Sequence, residues 1–345
     1  MAKQSETTIH DIAKQLNISA STVSRALKDS QLISKKTREL IKLKAEELGY
    51  RPNTYAANLR TRKSNTIGVL VPLINRHFFS SVISGIEEVA YKSGFAVAIS
   101  QSKDNFEKET KITHTFFANR VDGLILSIGM QTTTFDHLKL FADRKVPLVF
   151  FDRVVNEIQA HKIVVDDLRG GYIATEHLIQ QGAKRIAHIG GPLNLEIYSK
   201  RLEGFRKAMK KAGLPVDESM LLHNSLTRDD GEQAVKKLLA HPVLPEAIFC
   251  GNDTTALSVM LYLKNNGYKV PGDIQIVGFS NEPFSEVVTP SITTIKQPGF
   301  EMGKKAAELI IKQITSPTEK LKYDTITMPT ELIVRESSVK STVIH

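Results

Sequence analysis

The 345 residues exceed what one ordinary hydrophobic core organises, so two or three domains are expected, and 41% hydrophobic with 24% charged residues is the composition of a soluble globular protein. No run of 18 apolar residues occurs, the first residues lack the apolar stretch of a secretory leader, and the single cysteine, Cys250, allows neither an internal disulfide nor a multi-thiolate metal site. The formal charge of +9 is uneven: residues 1–65 carry 13 Lys and Arg against 6 Asp and Glu, a net of +7, and the remainder is close to neutral at +2. A cytoplasmic chain with a buried, inert thiol and a basic head that meets a polyanion is the expectation.

In chain order, Thr8 and Asp11 begin a first helix, since a hydroxyl caps a free N–H and an acid suits the positive end of the helix. Ile9, Ile12, Ala13 and Leu16 give it one apolar face, and Asn17 leaves it in a left-handed conformation. Ser19 caps a second helix with Val23, Ala26 and Leu27 facing inward. Ser34 caps a third with Thr37, Leu40, Ile41, Lys44, Ala45 and Leu48 on one face, and Gly49 ends it. Three short helices with a tight first turn suit a helix-turn-helix unit whose second helix enters the major groove. Its outward residues are Ala20, Ser21, Thr22, Ser24, Arg25 and Lys28. The Arg25 fork matches guanine O6 and N7, Ala20 suits a thymine methyl, and Ser21 is an adaptable polar contact. Ser19, Thr22, Ser24, Ser34 and Thr37 are short hydroxyls fit for phosphate oxygens. The same pattern also occurs in plain helical domains, where Arg25 is a solvated surface arginine.

Arg51-Pro52-Asn53 breaks the third helix. Residues 54–63 have room for one or two helical turns, too few to stand alone in water, so this segment orders only against a partner.

Beyond residue 65, apolar β-branched runs alternate with helical stretches: Thr66–Val71, Ala96–Ser100, Gly123–Leu126, Leu148–Phe151, Ile163–Val165, Arg185–Ile189, Ala247–Cys250 and Ile274–Phe279. Such runs read as parallel sheets covered on both faces, here two α/β lobes dividing after about Val165 with a return near Pro290. A ligand then binds between the lobes, beyond the strand ends. No phosphate-loop, dinucleotide-binding, nucleophile-elbow or zinc-protease motif is present. Gly299 to Lys305 lacks the phosphate-loop spacing, and the ten histidines show no metal-ligand spacing. No cofactor, metal or catalysis is expected. The other readings are a two-lobed sugar-modifying enzyme, which has no catalytic constellation behind it, and a sugar receptor without a DNA role, which leaves the basic head unexplained.

Thr8-Ile9-His10-Asp11-Ile12-Ala13, Asn17 to Leu27, Ser34 to Arg38 and Leu48 to Asn53 together resemble the LacI/GalR repressor family. The core falls in step at Phe151-Asp152-Arg153, Val165-Asp166, Gly190-Gly191-Pro192, Arg201 to Phe205, Cys250 to Asp253, Val277-Gly278-Phe279 and Thr289 to Pro298. The resemblance implies a DNA-binding domain over 1–52, a hinge over 53–64 and a two-lobed core over 65–340 akin to periplasmic sugar-binding proteins. It puts lobe N at about 65–165 and 296–328, and lobe C at about 166–295 and 329–340. It also implies a homodimeric repressor on near-palindromic operator DNA, with no membrane partner. In the hinge, Asn53 marks the start, Ala56 the helix contact and Leu59 a minor-groove wedge, with Arg60 beside it on the DNA.

For the effector, the resemblance points to Phe78, Phe79, Asp152, Arg153, Asp166, Arg201, Asn252, Asp253 and Ser280. Acids, amides and arginines around a cleft suit a polyhydroxylated ligand, a sugar or sugar phosphate. Plainer roles exist for several of them: a helix cap for Asp152 or Asp253, core for the two phenylalanines, a salt bridge for Arg201. The sequence departs from the family at Ser280, where many members carry an acid. Leu195, Ile197 and Leu226 stand where the purine-binding member has polar contacts, which argues against a purine. Ser337–His345 has no leucine heptads, so no tetramer-forming coil is expected.

Overall fold

The computed structural model describes residues 7–50, 64–316 and 322–339. The chain forms two compact units, one ending at Ser64 and the other starting at Asn65.

The first unit holds α1 (Ile9–Leu16), α2 (Ala20–Leu27) and α3 (Lys35–Glu47). The Asp11 carboxylate accepts from the Thr8 N–H and hydroxyl at 2.8 and 2.7 Å, which fixes the start of α1. These bonds hold the Asp11 carboxyl below its usual range. Asn17 ends α1 at φ 52°, and the Ser19 hydroxyl caps α2 by accepting from Thr22 N at 3.1 Å. Ile12, Ala13, Val23, Ala26, Ile41 and Ala45 make the small core. Leu40, expected to face inward, is 53% exposed. The inward stripe of α3 is Ile41, Ala45 and Leu48, and Leu40 lies about 100° around the helix from Ile41.

The second unit contains two six-stranded sheets. In lobe N the order is β11 (Thr325–Met328), β5 (His161–Val165), β4 (Leu148–Phe151), β3 (Gly123–Leu126), β1 (Thr66–Val71) and β2 (Ala96–Gln101), all parallel. In lobe C the order is β12 (Glu331–Ile333), β10 (Thr293–Lys296), β9 (Gln275–Ser280), β8 (Ala247–Cys250), β6 (Ile186–Gly190) and β7 (Leu221–His223). Only β12 runs antiparallel to its neighbour there. The chain crosses between lobes after β5, after β10 and after β11.

Helices cover both faces of each sheet. Ile67, Val69 and Val71 on one face of β1 pack with α4 (His77–Lys92) and α12 (Gly299–Thr315), while Leu70 joins the face covered by α5 (Phe106–Ala118) and α6 (Asp136–Asp143). This alternation is the period of two that a strand buried on both faces requires. In lobe C, α7 (Asp167–Gln180) and α8 (Glu196–Lys211) cover one face, and α9 (Arg228–Leu239) and α10 (Asp253–Asn265) the other, with the short α11 (Phe284–Val287) following β9. α4 and α12 meet backbone to backbone: a Cβ on Gly303 would stand 2.0 Å from the Val82 carbonyl oxygen, so only glycine fits. Among the described residues no helix is long and apolar enough to cross a membrane.

Candidate functional site

On the first unit, α2 shows Ser21, Arg25 and Lys28 to solvent, at i, i+4 and i+7 on one face, with Ala20, Thr22 and Ser24 half-buried beside them. The side chains of Arg25 and Lys28 make no hydrogen bond or ion pair with the described residues. Arg38 and Lys42, by contrast, are bound to the preceding turn, through Asp29 O at 2.9 Å and the Asp29 carboxylate at 2.6 Å. The Ser19 hydroxyl meets those of Ser21 and Thr22 at 2.8 Å, and Ser34 meets Thr37 at the same distance. Hydroxyls thus gather at the amino ends of α2 and α3, where N–H groups and the helix dipole favour an anion such as phosphate. Asn53, Ala56, Leu59 and Arg60 lie outside the described residues.

In the second unit a cleft of about 330 Å³ lies between the lobes, and the carboxyl ends of the strands supply much of its wall. It brings together Phe78, Phe79, Asp152, Arg153, Arg201, Asn252, Asp253 and Ser280. The rings of Phe78 and Phe79 open α4 edge to face, 5.2 Å apart. Arg153 follows β4. Its Nη1 donates to Asp104 Oδ1 and to Ile128 O, its Nη2 to the Tyr198 hydroxyl, and its buried Nε lies 4.0 Å from Asp152 Oδ2 without a hydrogen-bond partner among the described residues. Asp152, in the left-handed region at φ 58°, is buried beside it. Burial pushes the Asp152 carboxyl up, opposed by Arg153 and Arg201.

Arg201, on α8, donates through Nε to Asp167 at 2.7 Å and through Nη1 to Gly251 O at 2.9 Å, with its guanidinium 3.6 Å above the Phe279 ring. Burial raises Asp167 to about 7 against the pull of Arg201. Asp253 is fully buried and raised to about 7, again chiefly by burial. Its oxygens accept from the Thr294 hydroxyl at 2.6 Å and Glu282 N at 2.7 Å, tying α10 to β10 and to the loop after β9. Asn252 caps α10 by accepting from Thr255 N at 2.8 Å. Ser280 donates to Gln297 Oε1 at 3.0 Å.

Asp166 does not line this cleft. Its carboxylate caps α7 by accepting from Arg169 N at 2.8 Å, and the next residue, Asp167, is the one that meets Arg201. Ile197 faces the cleft, whereas Leu195 and Leu226 are buried away from it. Sequence reasoning missed Arg76, Lys103, Asp104, Gln131, Tyr198, Glu282 and Gln297, all of which line it. The turn-forming run Ser102-Lys103-Asp104-Asn105 and the motif ending in Gln297-Pro298 were the available signals for three of them. Among the described residues no three His, Cys, Asp or Glu side chains come together as metal ligands.

A helix-turn-helix head joined to a two-lobed α/β core with a polar cleft defines a ligand-controlled DNA-binding regulator. Residues 8–53 match the model for bacterial regulatory proteins of the lacI family, and residues 64–336 match that for periplasmic binding proteins and the sugar-binding domain of the LacI family; the chain belongs to the LacI family. Catabolite control protein A of Priestia megaterium is 33% identical over 90% of this chain and 93% of its own. The lac repressor dimer bound to operator and the anti-inducer ONPF superposes with a TM-score of 0.85 at 26% identity, covering 97% of this chain and all of that one. The complex of the transcriptional regulator CelR with cellobiose gives 0.73 at 28% identity, over 96% of this chain and all of that one.

Proposed function

We propose that this LacI-family regulator is a cytoplasmic repressor that binds near-palindromic operator DNA as a homodimer, and that a sugar-like effector held between its lobes sets its operator affinity. The observation that carries the reading is the pairing, on one chain, of an α2 face whose Arg25 and Lys28 side chains have no acceptor among the described residues with a polar cleft in which the buried Arg153 Nε has no hydrogen-bond partner. The head at 1–52 reads DNA, the hinge at 53–64 folds on it with Leu59 as wedge, and the core at 65–340 pairs the subunits. Phe78 and Phe79 stack on the effector, and Asp152, Arg153 and Arg201 bind its hydroxyls. Effector binding favours one closure state of the lobes and so alters the separation of the two hinges, which needs only differential affinity for the two states.

The test is selection of random duplexes by the purified protein at one fixed salt concentration, followed by sequencing. An enriched near-palindrome supports the reading. Absence of enrichment both alone and with pooled sugars overturns it.

A further inference from the structure

Three of the four cations of the cleft already have acceptors within the protein. Arg76 donates to the Thr254 hydroxyl, Arg153 to Asp104 and Tyr198, and Arg201 to Asp167 and Gly251 O. Lys103, exposed at the rim, makes no ion pair with the described residues, and a single hydrated ammonium there contributes little. Four cations and four acids line the cleft, and with three of the cations engaged in this way little unengaged positive charge is left for an anionic ligand.

One further place for an anion is the amino end of α4, where the helix dipole and free N–H groups favour negative charge. The protein fills it with its own carboxylate. Glu282, from the loop after β9 in lobe C, reaches across to lobe N and accepts from His77 N with both oxygens, at 3.2 and 3.3 Å. It is only 9% exposed. Its backbone is fixed as well: its N–H donates to Asp253 at 2.7 Å, and its carbonyl accepts from the Ser285 hydroxyl at 2.6 Å and Ser285 N at 2.9 Å. A second anion brought here would face the Glu282 carboxylate at low dielectric, where like charges repel strongly.

We propose that Glu282 is a selectivity residue of the cleft: lodged on the amino end of α4, it reserves the cleft for a neutral polyhydroxylated effector and turns away phosphorylated or carboxylated ones. This rests on the sugar-effector reading above and narrows it.

The test uses the full-length protein with Glu282→Ala and the near-isosteric Glu282→Gln. Each is titrated with inorganic phosphate at constant ionic strength, and with paired probes, glucose against glucose 6-phosphate and ribose against ribose 5-phosphate, by calorimetry and thermal melting. The head is unchanged in all three proteins, so its phosphate response cancels in the comparison. The expected result is phosphate affinity raised about tenfold in Glu282→Ala over the parent, and raised in the same direction in Glu282→Gln, the scale of one charge at a helix end. Equal phosphate responses in all three proteins overturn the proposal, as does a sugar phosphate binding the parent more tightly than its neutral sugar. If no neutral sugar of a broad panel binds, the sugar-effector reading fails, while the phosphate comparison still decides the role of Glu282.

Discussion

The Arg153 guanidinium, at the end of β4 in lobe N, donates to the Tyr198 hydroxyl on α8 in lobe C at 3.3 Å and so joins the lobes across the cleft. Both groups are buried. Tyr198 keeps its place because Gly191 leaves room for the ring: a Cβ there would stand 2.4 Å from it. Tyr198→Phe strands a buried N–H of Arg153. It is expected to cost about 0.5–1.5 kcal/mol in urea unfolding and to expand the effector-free core in small-angle scattering. Unchanged stability and dimensions would show that this bond does not hold the lobes together.

Arg201→Ala leaves the Asp167 carboxylate buried without its cation, and a loss of about 3–5 kcal/mol is expected. Adding Asp167→Asn should recover much of the stability but none of the effector response. Melting curves and effector titrations on the single and double variants separate the two roles. Full recovery of the response in the double variant would mean that Arg201 serves the fold alone.

Arg25→Ala should leave the head as stable as before, since Arg25 has no acceptor to lose among the described residues. Operator binding should weaken by about 1–3 kcal/mol, with relaxed preference at one base pair per half-site. Selection with the variant checks this, and an unchanged base preference would rule out direct readout by Arg25.

Asp253 sets a pH dependence. Burial holds its carboxyl at about 7, above its ordinary 3.8, so the folded state binds a proton that the unfolded state has released. The stability it contributes is complete below pH 3.8 and is lost as the pH rises through 7. Asp253→Asn cannot ionise. Its melting temperature relative to the parent should therefore climb between pH 5.5 and 8, as differential scanning calorimetry would record. A constant difference across that range contradicts the assignment.

The head was legible because its signals are local. The Thr8–Asp11 box, the Asn17 exit and the Ser19 cap each need only neighbouring residues. Leu40 was misread because apolar residues at adjacent helical positions cannot all face one way. In the core, the buried central strands announced themselves as unbroken apolar runs. β7, β10, β11 and β12 did not: three of them are short edge strands with half-exposed patterns, and β10 is four residues, Thr-Thr-Ile-Lys, between two prolines. Cleft positions directly after a strand, such as Asp152 and Arg153, follow from the topology itself. Asp104 and Tyr198 acquire their roles only from Arg153, 49 and 45 residues away in the chain, a distance that no local pattern encodes. The choice between Asp166 and Asp167 turned on which of two adjacent acids caps α7, and one residue of helical rotation decides it.

Lobe N is completed by chain made after most of lobe C. α12 supplies Met302, Ala306, Ala307 and Ile310 to the core under β1, β3, β4 and β5, and β11 closes the far edge of that sheet. On the ribosome, this order leaves one face of the lobe N sheet with only α4 as cover, and its far edge open, until residues 299–328 have emerged, long after the head has the buried residues of its own core. A message cut short before Gly299 would thus yield a head complete in its own core attached to a sticky, unfinished sheet, so the last part of the gene decides whether the nascent chain ends as a regulator or as an aggregate.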